Sequence, residues 1–189
     1  EVQNKMIEEA IEMRPDAIVL APSDYVKTLP YARKVEETGI KLVILDSVMA
    51  EEAGCCVVAT DNLKAGYRMG EYMKPYLNED SVIGIMEHIK GVSTAVEREQ
   101  GLLEALGTYG DQIVDVRYCD SSNDKSYEET KAMLTENPDI NVIFCLNEDS
   151  ASGAARAVHD MGLGGKVAMV GFDSSLEEIQ FLESGVFNA

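Results

Sequence analysis

Phe172, Asp173, Ser174 and Ser175 stand together where the apolar run MVGF (169–172) gives way to polar residues. A carboxylate beside an aromatic ring can accept hydrogen bonds from hydroxyl groups while the ring covers C–H groups. That combination suits a polyhydroxylated ring such as a sugar. The serines have a simpler use, because Ser175 and Glu178 have capping-box spacing; Ser174 and Ser175 are read chiefly as caps of the next helix. Phe172 also fits a core position, and both readings stay open at this point.

The same transition recurs along the chain. Asp46 follows LVIL, His88 and Ile89 come just after VIGIM, Asp120 and Ser121 follow VRYC, and Asn147 follows VIFCL. Asp, Asn and Ser before a helix are also preferred N-caps, worth about 1 kcal/mol each, so capping competes with ligand binding at every one of these positions. Asn147 and Asp173 are the stronger ligand candidates, since each directly ends an apolar run. Arg98 lies within GVSTAVEREQG (91–101), either as a surface residue paired with Glu97 or Glu99 or as a fork of donors reaching a site.

The elements that would position these residues follow from hydrophobic spacing. Apolar runs of strand length occupy 17–22, 41–46, 55–60, 81–86, 112–119, 141–146 and 166–172, and most lack polar alternation. Continuous Val and Ile runs are what strands covered on both faces require, so they predict parallel sheets layered by helices. Helical stripes lie between them at 2–13, 29–38, 62–77, 94–106, 126–136, 149–161 and 175–184. Ser126 with Glu129 is a second capping-box pair, and Gly39, Gly162 and Gly185 stand where helices should stop. Regular alternation predicts right-handed crossovers in a doubly wound α/β architecture, in which ligands bind beyond the carboxyl ends of the strands. Only Asp46 to Cys55 breaks it, with no helical pattern. There the chain is expected to pass from one α/β lobe, residues 1–60, to a second, residues 61–189. The first lobe is incomplete on this reading.

Composition excludes several functions. A formal net charge of −18, spread along the chain, opposes direct binding of nucleic acid, which needs clustered Lys and Arg. No stretch is long and apolar enough to cross a bilayer. Cys55, Cys56, Cys119 and Cys145 form no C-x-x-C pair and are read as buried free thiols, so no metal or other cofactor is expected. No G-x-S-x-G elbow appears, and GLGGK (162–166) precedes a strand instead of following one, so it reads as a turn. His88 is the one plausible acid or base, which is too little for an enzyme.

The segments IVLAP, VILD, ATDN, GVSTAVEREQG, FCLNEDSASGA and MVGFDSS, in this order and at these distances, resemble the ribose-type periplasmic sugar-binding proteins. Their fold is shared with the effector domains of lactose-repressor-like regulators. The resemblance covers essentially the whole chain and implies two periplasmic-binding-protein type I lobes with a sugar enclosed between them. This chain resembles a middle portion, with the rest of the first lobe expected before Glu1 and after Ala189. Carried over, Asp46 matches the first lobe's hydroxyl-binding acid; Arg98, Asn147 and Asp173 match the second lobe's polar trio; Phe172 matches an aromatic beside the ring. Ser47, Ala21 and Ser121 stand where ribose binders have an arginine, an asparagine and a stacking phenylalanine, which points away from ribose itself. The implied function is capture of a monosaccharide or similar polyol for the membrane permease of an ABC importer, in the periplasm or otherwise outside the cytoplasm, free or lipid-anchored. The alternative is a sugar-sensing effector domain of a cytoplasmic regulator; the helix ending YMKPYLNEDS, without the Gly-His turn common in such repressors, argues against it.

Overall fold

The computed structural model describes residues 2–189, which form two compact units. One unit comprises the residues up to Asn62 together with Gly91–Glu97, the other Leu63–Lys90 with Arg98–Ala189.

In the first unit, β1 (Ala17–Leu20), β2 (Lys41–Asp46) and β3 (Cys56–Ala59) form a parallel sheet in the order β1-β2-β3. Helices α1 (Val2–Glu12) and α2 (Leu29–Glu37) connect with it through a core of Ile7, Leu20, Ala32, Val35, Leu42 and Ile44. The crossover after β1 makes β2 parallel to it, with Ala17 opposite Lys41. Between β2 and β3 the loop is irregular, as expected, and Met49 and Ala53 from it join the core. The Gly91–Glu97 segment holds the loops after the strands: the Tyr25 amide donates to the Gly91 carbonyl and the Val48 amide to Ser93 Oγ, both at 2.8 Å.

In the second unit, β4 (Ile83–Glu87), β5 (Ile113–Tyr118), β6 (Val142–Cys145) and β7 (Ala168–Val170) form a parallel sheet in the order β5-β4-β6-β7. Its helices are α3 (Asn62–Met73), α4 (Ser93–Leu106), α5 (Asn123–Glu136), α6 (Glu148–Asp160) and α7 (Leu176–Glu183), of which α3 and α4 begin in the first unit. Strand period two divides the core. Ile83 and Ile85 of β4 pack with Met73, Leu102, Leu106 and Phe144 on one face, while Met86 packs with Met133, Cys145, Ala154 and Val158 on the other. Every residue of β4 and β6 is buried, which explains their unbroken apolar runs.

The helix ends explain what local signals could and could not tell. Ser175 and Glu178 form the expected capping box, and Gly39, Gly162 and Gly185 have φ of 80°, 67° and 78° beyond helix ends. Ser174 takes no part in that box; Ser175 alone caps. Ser126 does not start a helix. Helix α5 begins at Asn123, capped by Ser122, whose Oγ accepts from the Lys125 amide; Ser126 is buried and donates to the Ser150 carbonyl of α6 at 2.7 Å. The interhelix bond outcompetes the local motif because Ser126 faces α6. Helix α3 likewise ends at Met73, and a 3-10 turn containing Pro75 follows. Cys119 and Cys145 are buried, but Cys55 and Cys56 are exposed: Cys56 lies on β3, whose residues are all exposed, and Cys55 directly precedes it.

Candidate ligand-binding site

All the sequence candidates lie at carboxyl ends of strands or on the helix beside them. Three of the acids have left-handed backbones: Asp46 (φ 64°), Asp120 (φ 52°) and Asp173 (φ 73°). Asp tolerates this region better than most residues but still at a cost, and such strain persists where surrounding contacts fix it. In the first unit, Asp46 is exposed and its Oδ2 accepts from the Ser47 hydroxyl at 3.1 Å. Ser47 itself is buried.

The second unit assembles a tighter group. Arg98 is not a surface residue: it is 7% exposed, and its Nη1 donates to the Leu146 carbonyl at 2.6 Å, where β6 ends. The guanidinium carbon lies 3.6 Å from the centroid of the Phe172 ring, a cation–π geometry worth about 0.5–2 kcal/mol as it is desolvated. Phe172 packs on the apolar core, and one face supports the guanidinium. Asp173 Oδ2 sits 3.9 Å from Arg98 Nη1 and accepts from the Glu148 amide at 3.3 Å, at the positive end of α6. With its side chain 46% exposed, Asp173 keeps acceptor capacity toward solvent.

Asn147 caps α6: its Oδ1 accepts from the Ser150 amide and its own amide donates to Ser150 Oγ, each at 3.0 Å. Its Nδ2 lies at 3.5 Å from Asp149 Oδ2, a long contact that a better acceptor could replace. The structure thus brings Arg98, Asn147, Phe172 and Asp173 together at the ends of β6 and β7. Ser121, with φ of 51°, and Asp120, paired with Lys125 at 2.6 Å, sit at the end of β5 outside this group.

Backbone contact sets where Arg98 stands. A Cβ on Gly66 of α3 would overlap the Arg98 carbonyl, and one on Gly101 of α4 would overlap the Leu63 carbonyl, so the two helices touch backbone to backbone. Gly66→Ala should cost roughly 1–3 kcal/mol of stability by overpacking. Denaturant unfolding checks this, and a crystal structure of the variant should find Arg98 displaced.

One group lay outside the sequence candidates. Glu87 ends β4 with 0% exposure, and no side chain among the described residues hydrogen-bonds either carboxyl oxygen. Burial, and secondarily the charge of Glu99, pushes its pKa up to about 8 against the opposing pull of the His88 amide and Arg98. His88 is also buried, with Nδ1 3.7 Å from Glu87 Oε2. The available signal was an acid directly ending a central apolar run, the same pattern that singled out Asp46.

The parallel sheets layered by helices match the periplasmic-binding-protein type I fold of the solved structures. All of residues 1–189 match the family model described as a periplasmic binding protein domain, and the chain belongs to that family. It is 30% identical over 178 residues to the D-ribose/D-allose-binding protein of Pseudomonas aeruginosa, covering 91% of this chain and 56% of that protein. The chain thus spans little more than half the length of that relative. A sugar transporter from Clostridium phytofermentans superposes with TM-score 0.89 at 44% identity, covering 98% of this chain and 67% of that one. An ABC transporter solute-binding protein from Agrobacterium vitis with bound D-fucose gives TM-score 0.92 at 30% identity, over 98% of this chain and 65% of that one.

Proposed function

We propose that this chain is the sugar-recognising part of a solute-binding protein that captures a monosaccharide or similar polyol and delivers it to the membrane permease of an ABC importer. The observation that carries the reading is Arg98 held 3.6 Å over the Phe172 ring beside the half-exposed Asp173: a donor fork and an acceptor with spare capacity side by side. Such pairs bind vicinal hydroxyls through charge-assisted hydrogen bonds. Asn147 adds an amide, and Asp46 in the first unit is a further acceptor suited to a hydroxyl group. The relatives named for ribose, allose and fucose support this ligand class. The role is capture and release with no bond made or broken, on the outer side of the cytoplasmic membrane.

The test is a thermal-shift panel of D-ribose, D-allose, D-fucose and other pentoses, hexoses and polyols on the full-length protein. Ligand at 100 times its Kd should add about 2.7 kcal/mol. Asp173→Ala should abolish most of that gain by removing hydrogen bonds to a charged group, worth about 1.5–3 kcal/mol each. Equal stabilisation of variant and wild type would refute the assignment of Asp173, and no response to any sugar would refute the ligand class.

A further inference from the structure

We infer that Glu87 is a positioning residue for Arg98, and that sugar affinity in the second unit is proton-linked through it. The inference rests on the sugar-capture reading above. Its basis is the way β4 and β6 run together: the Leu146 amide donates to the Met86 carbonyl, and the Leu146 carbonyl accepts from Arg98 Nη1. Glu87, the residue after Met86, is therefore next to the peptide that anchors the guanidinium. It shares the period-two face of Ile83 and Ile85, the face packed against α4, which carries Arg98.

A fully buried carboxyl without a side-chain hydrogen-bonding partner is most stable as the neutral acid. In that state Glu87 does not compete with Asp173 or the ligand for the cation of Arg98. The charged and titratable groups facing Glu87 are Arg98 and Glu99 from α4, the adjacent His88, and Tyr118 at the end of β5, whose phenol is raised by burial and by Glu99 and Glu87. Arg98 is the one permanent cation in this set. When the proton leaves, the new carboxylate has that cation to draw on, and the guanidinium is pulled toward the sheet and away from Asp173. The direction follows from the raised affinity of Glu87 for its proton: affinity for ligand is full below about pH 8 and falls as pH rises through it. Linkage is reciprocal, so bound ligand must in turn hold the proton on Glu87 more tightly.

Two measurements on the full-length protein decide this. Calorimetric titration with D-allose from pH 6.5 to 9 should give a Kd that weakens about fivefold or more, the lower range of allosteric couplings, whereas Glu87→Gln should give a Kd independent of pH. Without ligand, the side-chain ¹⁵N resonances of Arg98 should shift over the same pH range in wild type and stay fixed in Glu87→Gln. Coincident pH profiles for wild type and variant, in affinity or in the Arg98 resonances, would overturn the inference; a merely structural glutamate changes stability and leaves both flat. If D-allose binds at no pH, the sugar reading loses its support and the Arg98 resonances alone decide the role of Glu87.

Discussion

Glu87→Gln is expected to make the protein more stable at neutral and alkaline pH and to flatten its stability profile. In the folded state the carboxyl retains its proton to about pH 8, whereas unfolded it ionises near 4.5. Below the lower value both states are protonated and the contribution is complete. Between the two values the unfolded chain has shed its proton and the folded protein has not, so stability falls as pH rises; above about 8 both are ionised and the loss levels off. At about 1.4 kcal/mol per pKa unit the loss is on the order of a few kcal/mol. Glutamine has the same shape and never ionises, so the difference between wild type and variant should grow across this window and then stay constant. Urea unfolding at several pH values reads it directly. A constant difference across the window would show that Glu87 does not retain its proton on folding.

Arg98→Leu carries the second large effect. The leucine fills part of the volume but removes the donor to the Leu146 carbonyl, leaves that acceptor buried, and uncovers one face of Phe172. Losing a charge-assisted hydrogen bond and the ring contact should cost about 2–4 kcal/mol of stability. Sugar affinity should fall by about a hundredfold or more, because the fork proposed to address vicinal hydroxyls is gone. Arg98→Lys should restore charge but not affinity, since an ammonium neither lies flat on the ring nor donates in a fork. Sugar binding by the leucine variant at wild-type strength would remove Arg98 from the site.

Among the described residues, seven strands and seven helices lie where hydrophobic spacing placed them, because two-face burial writes itself into unbroken Val and Ile runs. The end of α3 and the start of α5 were shifted by particular contacts, Pro75 in one case and the Ser126–Ser150 bond in the other, and the second depends on a partner remote in sequence. The site was half legible. Asn147 satisfies both a cap and a strand-end position, since in a parallel sheet the two coincide, so sequence alone does not separate its roles. The burial of Arg98 was invisible because its flanking glutamates offer equally good surface partners; only the close approach of α3 and α4 decides otherwise. Glu87 carries no motif that separates it from a surface acid, although it is more deeply buried than the neighbouring His88.

The glycine contacts between α3 and α4 also govern how the proposed sugar site could be redirected to other ligands. Helix α4 cannot slide or roll over α3 while Gly66 and Gly101 hold the two backbones in touch, so the Arg98 backbone stands at a fixed depth. Selectivity is then open to change through the residues that surround the guanidinium, above all Asn147 and Asp173, without disturbing the scaffold. A library that varies those positions and spares the two glycines should yield folded proteins with altered sugar preference, whereas one that varies the helix contact should yield mostly unstable chains.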